Sequence, residues 1–318
     1  MRVVLAGGTG TIGRAVAREL VSQGHEVVAL VRGEPRGEVA RDLEGCALRR
    51  AELTDRESTQ AALAGDRADA LVSCIASRNG VPADAWAVDH GANQNLLGAA
   101  EGLGAERFVL LSAICVQKPE LAFQHAKLAF EAELGQHGIG YAIVRPTAFF
   151  KSLSGQIERV RQGKAFLVFG EGTEIACKPI SDGDLARYVV QQLPRPESAV
   201  LPIGGPGPAL TPRDQGALLF ELTGREPRYK RVPLGIFDAA IGVLSPLGRL
   251  VPSLRAKAEL ARIGRYYATE SMLVWDAENE RFDADATPET GSDTLRDHYA
   301  RVLRDDLPDE RGAHALFK

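Results

Sequence analysis

In the segment AFQHAKLAFE (122–131), Phe123 and Lys127 stand four residues apart. On a helix that spacing puts them on one face, one turn from each other. The segment follows an apolar run, RFVLLSA (107–113), whose end carries Ser112. Parallel sheets bind their ligands outside the C-terminal ends of such strands, where a lysine can hydrogen-bond a ribose. Away from such a site, a lysine on an amphipathic helix is an ordinary solvated residue. Phe123 offers a ring but no acidic proton. Cys115, Gln117 and Lys118 lie on the intervening loop and are candidates to face a substrate. For Cys115 the competing expectation is a small core residue.

A second constellation opens the chain. AGGTGTIG (6–13) carries Gly7, Gly10 and Gly13 at three-residue intervals between an apolar run and a helical pattern. The first glycine permits a tight turn, the second lets backbone approach a pyrophosphate, and the third lets helix pack on strand. The helix start then offers free N–H groups to phosphate. Gly7, Thr9, Gly10, Thr11, Ile12 and Gly13 are the candidate contacts of a nicotinamide dinucleotide. The next apolar run ends ALVRGEPR, with Arg32 where an NAD site usually places an acid. A guanidinium grips a 2′-phosphate that a carboxylate would repel, which favours NADPH. Glu34, just beyond, is the competing acid.

These residues need a scaffold that brings strand ends together. Strands are expected at 2–7, 25–32, 68–76, 107–113 and 140–146, and helices at 11–24, 56–63, 85–104 and 123–138. The alternation predicts an α/β fold with a doubly wound parallel sheet, a Rossmann core. Residues 1–146 form that core, with a return at 175–204 through a helix at 182–193 and a strand at 199–205. Residues 147–174 and 205–318 form a smaller substrate-binding part. Pro146 closes the last strand of the first run, and Phe149 and Phe150 follow it. Pro146 and Phe149 are candidate cofactor contacts and Phe150 a substrate contact, against a default of core packing for adjacent aromatics. The stretch PLGIFDAAIGVLSPLGRLVPSL (233–254) is apolar, with Asp238 and Arg249 its only charges. It reads as a lid, a peripheral membrane contact or a helix pair, and is too broken by proline and glycine to span a bilayer.

Composition narrows the function. A net charge of −4 over 318 residues gives no basic footprint for nucleic acid. Cys46, Cys74, Cys115 and Cys177 are scattered, and the six histidines show no ligand spacing, so no metal or iron–sulfur site is expected. Reduced thiols and a start that runs directly into a strand point to a cytoplasmic protein.

The order GGTGTIG, LVR, LLSA, FQHAK, VRPTAFF resembles the atypical short-chain dehydrogenase/reductases. In that superfamily position 123 carries a tyrosine that protonates a carbonyl oxygen. Stretches 110–131, 141–164, 176–186 and 273–303 are similar, more narrowly, to the divinyl chlorophyllide 8-vinyl reductases. That resemblance implies NADPH and reduction of the C8 vinyl group of a divinyl magnesium pigment, chlorophyllide or protochlorophyllide, to ethyl. The pigment carries its own magnesium. Phe123 and Lys127 would be the reaction-site pair, with Phe123 packing on the pigment, and a place beside the photosynthetic membrane stays open. Two other readings compete: a superfamily reductase acting on another conjugated alkene or a ketone, and a redox-sensing regulator or assembly factor that binds NADP(H) without turnover.

Overall fold

The computed structural model describes residues 1–78, 80–248 and 250–305; Arg249 of the apolar stretch lies outside them. The chain runs β1 (Arg2–Ala6), α1 (Thr11–Ser22), β2 (Glu26–Val31), α2 (Glu38–Asp42), β3 (Ala47–Arg50), α3 (Arg56–Leu63) and β4 (Ala70–Ser73). It continues α4 (Pro82–Ala85), α5 (Asn93–Leu103), β5 (Arg107–Leu111), α6 (Ala122–Gln136), β6 (Gly140–Pro146), α7 (Phe150–Leu153), α8 (Ile157–Arg161) and β7 (Phe166–Phe169). Then come α9 (Asp182–Val190), β8 (Ala199–Ile203), α10 (Pro212–Thr223), β9 (Tyr229–Val232), α11 (Gly235–Leu247), α12 (Pro252–Thr269), β10 (Val274–Asp276), β11 (Arg281–Asp283) and α13 (Leu295–Asp305).

Two compact units result, the first made of Met1–Ser77, Pro82–Pro146 and Asp182–Pro202. Its seven-stranded sheet has the order β3-β2-β1-β4-β5-β6-β8. The pairs β1–β2, β2–β3, β1–β4, β4–β5 and β5–β6 are parallel. This is the expected doubly wound Rossmann sheet, with its switch point between β1 and β4. Both faces are covered, so the inner strands read as unbroken apolar runs. Leu71, Leu96, Phe108, Phe130 and Ile143 lie in one core cluster. α1 buries Ile12, Ala15, Val16 and Leu20, spaced three and four apart, and packs against α9.

β3 and the helix expected at 85–104 differ from expectation in ways that bear on the site. β3, with sequence ALRR, is exposed at all four positions, so it had no apolar signature. It exists as the sheet's edge, paired in parallel to β2. The helix expected at 85–104 is not uniform: Trp86–Ala92 forms a π-helical segment between α4 and α5. Such a wide turn shifts the side chains that follow.

The second unit comprises Arg78–Val81, Thr147–Ser181 and Ile203–Lys318. β7 pairs with β9 in parallel and β10 with β11 antiparallel. Residues 175–181, expected in the core's return, stay with this unit, where Cys177 bridges Leu210 and Met272. The apolar stretch forms α11 and the start of α12, a packed helix pair. Phe237 seats on Gly264, where an added Cβ would come within 2.7 Å of the ring. Arg265 pairs with Asp238 at 2.7 Å, and Arg262 donates to Ser245.

Candidate active site

The glycine loop sits at the switch point. Gly7 has φ +81°, and a Cβ there would lie 2.6 Å from the backbone of Cys74, just beyond β4. A Cβ on Gly13 would lie 2.0 Å from the carbonyl oxygen of Gly7. Neither position admits a side chain. Gly10 differs: it is exposed, and its added Cβ would meet only the Gly7 carbonyl, at 3.4 Å. Gly10 also N-caps α1 and brings no side chain to satisfy the first-turn N–H groups. Bare backbone at an uncapped helix start is a cradle for phosphate, so the loop fits a dinucleotide.

Beside the loop, at the end of β4, lies a buried polar network. Lys127 Nζ and Asp89 Oδ1 are 2.9 Å apart, with side chains 9% and 1% exposed. The other Asp89 oxygen accepts from the Ser77 amide at 3.3 Å. Asn93 donates to the Asp89 carbonyl at 3.0 Å and accepts from the Ser73 hydroxyl. The π-helical segment carries Asp89, and Asn93 follows it directly. Burial pushes the Cys74 thiol up to about 12, against the opposing pull of the Lys127 ammonium. Cys74 is therefore a neutral thiol at physiological pH.

The start of α6 is locked from within. Gln124, fully buried, accepts from the amides of Glu120 and Leu121 and donates to the Cys115 carbonyl at 2.9 Å. This fixes the helix on which Phe123, half-buried, precedes Lys127 by one turn. Ser112 turns its hydroxyl to Glu131 of α6, which also pairs with Arg145 of β6. Arg32 follows β2 directly, is exposed, and has no acidic partner among the described residues.

Residues 7–196 match a family described as NAD(P)H-binding. Over 99% of its length the chain is 47% identical to a divinyl chlorophyllide a 8-vinyl-reductase, chloroplastic, of Oryza sativa subsp. indica, covering 82% of that protein. The same-named protein of Arabidopsis thaliana is 44% identical over 100% of this chain and 80% of its own. The chain belongs to the divinyl chlorophyllide a 8-vinyl-reductase family. In fold it is similar to an NADPH-dependent quinone oxidoreductase of Escherichia coli solved with NADPH. That match has TM-score 0.68 and 18% identity over 95% of this chain and 99% of the other.

Within this member of the 8-vinyl-reductase family, the first unit holds the glycine loop, Arg32, Ser112, Cys115, Phe123, Lys127 and Pro146. Cys115 is 4% exposed, with its carbonyl held by Gln124. Phe149 and Phe150 belong to the second unit. Phe150 is 3% exposed in that unit's core, its ring 5.3 Å from that of His298. Both Cys115 and Phe150 are thus buried, each within its own unit. Asp89, Asn93 and Gln124 were not singled out from the sequence. The signal for Gln124 was its place as the third residue of α6, where a glutamine side chain can accept from the N-cap amide, here that of Leu121. Among the described residues no three metal-ligating side chains come together, and no helix is long and apolar enough to cross a membrane.

Proposed function

We propose that this protein uses NADPH to reduce the C8 vinyl group of divinyl chlorophyllide or protochlorophyllide to ethyl, in chlorophyll or bacteriochlorophyll synthesis. The observation that carries the reading is near-full-length identity of 44–47% to reductases of that name. When bound, the cofactor supplies a hydride. Gly7, Thr9, Gly10, Thr11, Ile12 and Gly13 would hold its pyrophosphate and Arg32 its 2′-phosphate. Ser112, Lys127 and Pro146 would serve its nicotinamide end.

Phe123 then makes chemical sense. A vinyl group becomes ethyl by gaining one hydride and one proton, both at carbon. No oxygen gains charge, so a phenol at position 123 would have no alkoxide to protonate. The phenyl ring instead packs against the flat, apolar macrocycle. Lys127 holds the ribose, and the buried Asp89 carboxylate fixes where its ammonium lies. Proton delivery to carbon is a second role open to Lys127.

The test is an anaerobic assay with NADPH and divinyl chlorophyllide, with pigments resolved by chromatography. Conversion to the monovinyl pigment, one NADPH consumed per vinyl group, is the expected result. NADPH binding with no pigment turnover would overturn the reading in favour of a non-catalytic NADP(H)-binding protein.

A further inference from the structure

α11 is apolar on more sides than its own unit uses. Of its residues only Phe237 is buried, facing Gly264 and lying 4.8 Å, centroid to centroid, from the ring of Phe169. Ile236, Val243 and Leu247 are 56%, 62% and 46% exposed. Steps of seven and four residues align these three along one helix face. Leu250, 83% exposed, and Val251, 44% exposed, follow within four residues of Leu247. Exposed apolar side chains gathered in one short segment mark an interaction site.

Charge identifies the partner. Residues 225–265 contain nine Lys and Arg against three Asp and Glu, in a chain whose net charge is −4. Arg255 and Lys257, early in α12, are exposed and pair with no carboxylate among the described residues. The turn is tight enough that a Cβ on Gly248 would lie 2.9 Å from the Arg255 backbone. An apolar tip is thereby set next to free cations.

We infer that the α11–α12 tip docks onto the surface of an anionic lipid bilayer. Val243, Leu247, Leu250 and Val251 enter the acyl boundary, and Arg255 and Lys257 meet headgroup phosphates. A second copy of the chain fits less well, because a two-fold contact at this tip would bring like charges together. The contact is interfacial, since α11 has only 13 residues, too few to span a hydrocarbon core. The inference is independent of which pigment or reaction the protein serves.

The test is flotation of the full-length protein with vesicles of phosphatidylcholine alone and of phosphatidylcholine mixed with phosphatidylglycerol. The protein should float with the mixed vesicles and much less with the neutral ones. Val243→Asp with Leu247→Asp should lower partitioning about tenfold or more. Arg255→Gln with Lys257→Gln should remove the preference for phosphatidylglycerol. Should the aspartate pair lower the melting temperature, Leu250→Asp answers in its place, at a side chain that is almost fully exposed. A protein that floats with neither vesicle overturns the inference, as does equal flotation with both. A mass by light scattering that halves in Leu250→Asp, with no flotation of the parent, would assign the tip to a second copy instead.

Discussion

Replacing Asp89 by asparagine keeps the shape of the side chain and removes one charge. The Lys127 side chain left behind is 9% exposed, so little water can replace the lost partner. Breaking a buried pair from one side costs about 3–5 kcal/mol. Lys127→Met should cost a similar amount, because it strands the Asp89 carboxylate, 1% exposed, in the same place. The double variant removes both charges and their desolvation penalty together, so its cost should fall well below the sum. A coupling energy of about 2–4 kcal/mol is expected from the cycle. Urea unfolding of the four proteins without NADPH measures it, read at matched slopes so that midpoint shifts report stability. At about 2–4 °C per kcal/mol, each single variant should melt about 6–20 °C lower. Assayed well below that temperature, Asp89→Asn should still lose about ten- to a hundredfold in turnover, acting through the misplaced lysine. Additive costs, with coupling inside about 0.5 kcal/mol, would refute the pair as a unit.

Four further outcomes test other parts of the molecule. Arg32→Ala should raise the KM for NADPH about ten- to a hundredfold, the worth of a charge-assisted contact of about 1.5–3 kcal/mol, with less effect on NADH; equal affinity of the parent for both cofactors would sink the assignment. Gly10→Val should abolish NADPH binding in a folded protein, whereas Gly13→Val should fail to fold, since its Cβ lies 2.0 Å from the Gly7 oxygen; calorimetry and circular dichroism separate the two. Phe123→Tyr should not accelerate vinyl reduction, and a large gain in rate would make a carbonyl the better substrate. Burial, aided by Arg301 and opposed by Asp293, lowers the pKa of His298 to about 4. Because the folded value lies below the ordinary 6.5, stability is complete above that pH and drains as pH falls toward 4. The loss should be about 2 kcal/mol, allowing for solvent at the ring's edge, and His298→Gln should flatten the slope of melting temperature against pH.

The parts of the fold that were legible in the sequence are those where one physical requirement leaves one residue type. Gly7 and Gly13 are forced by backbone contacts, and β1, β2, β4 and β5 by burial on both faces. β3 carries no such mark. Its four exposed residues, two of them arginines, become a strand only because β2 offers an edge to pair with. Asp89 was hidden for a related reason. Within 85–104, Ala85, Asp89, Ala92 and Leu96 recur at steps of four, three and four, and all four are buried. That pattern reads as one apolar helix stripe, yet one of its members is a carboxylate. An acid in a buried stripe needs a cation, and the one that meets it, Lys127, was placed on a different helix and given to the ribose by a separate argument. Neither residue announces the pair alone, because each fits a bland role until the other is buried against it. The same reasoning separates Phe123 from Phe150. Both are rings beside the reaction chemistry in the sequence, but Phe150 is taken by its own unit's core, while Phe123 keeps part of its surface free one turn before a lysine whose charge is already held. What sequence spacing cannot supply is this accounting of which surfaces the fold has already used, and in this chain it decides which candidate side chains remain free to meet a ligand.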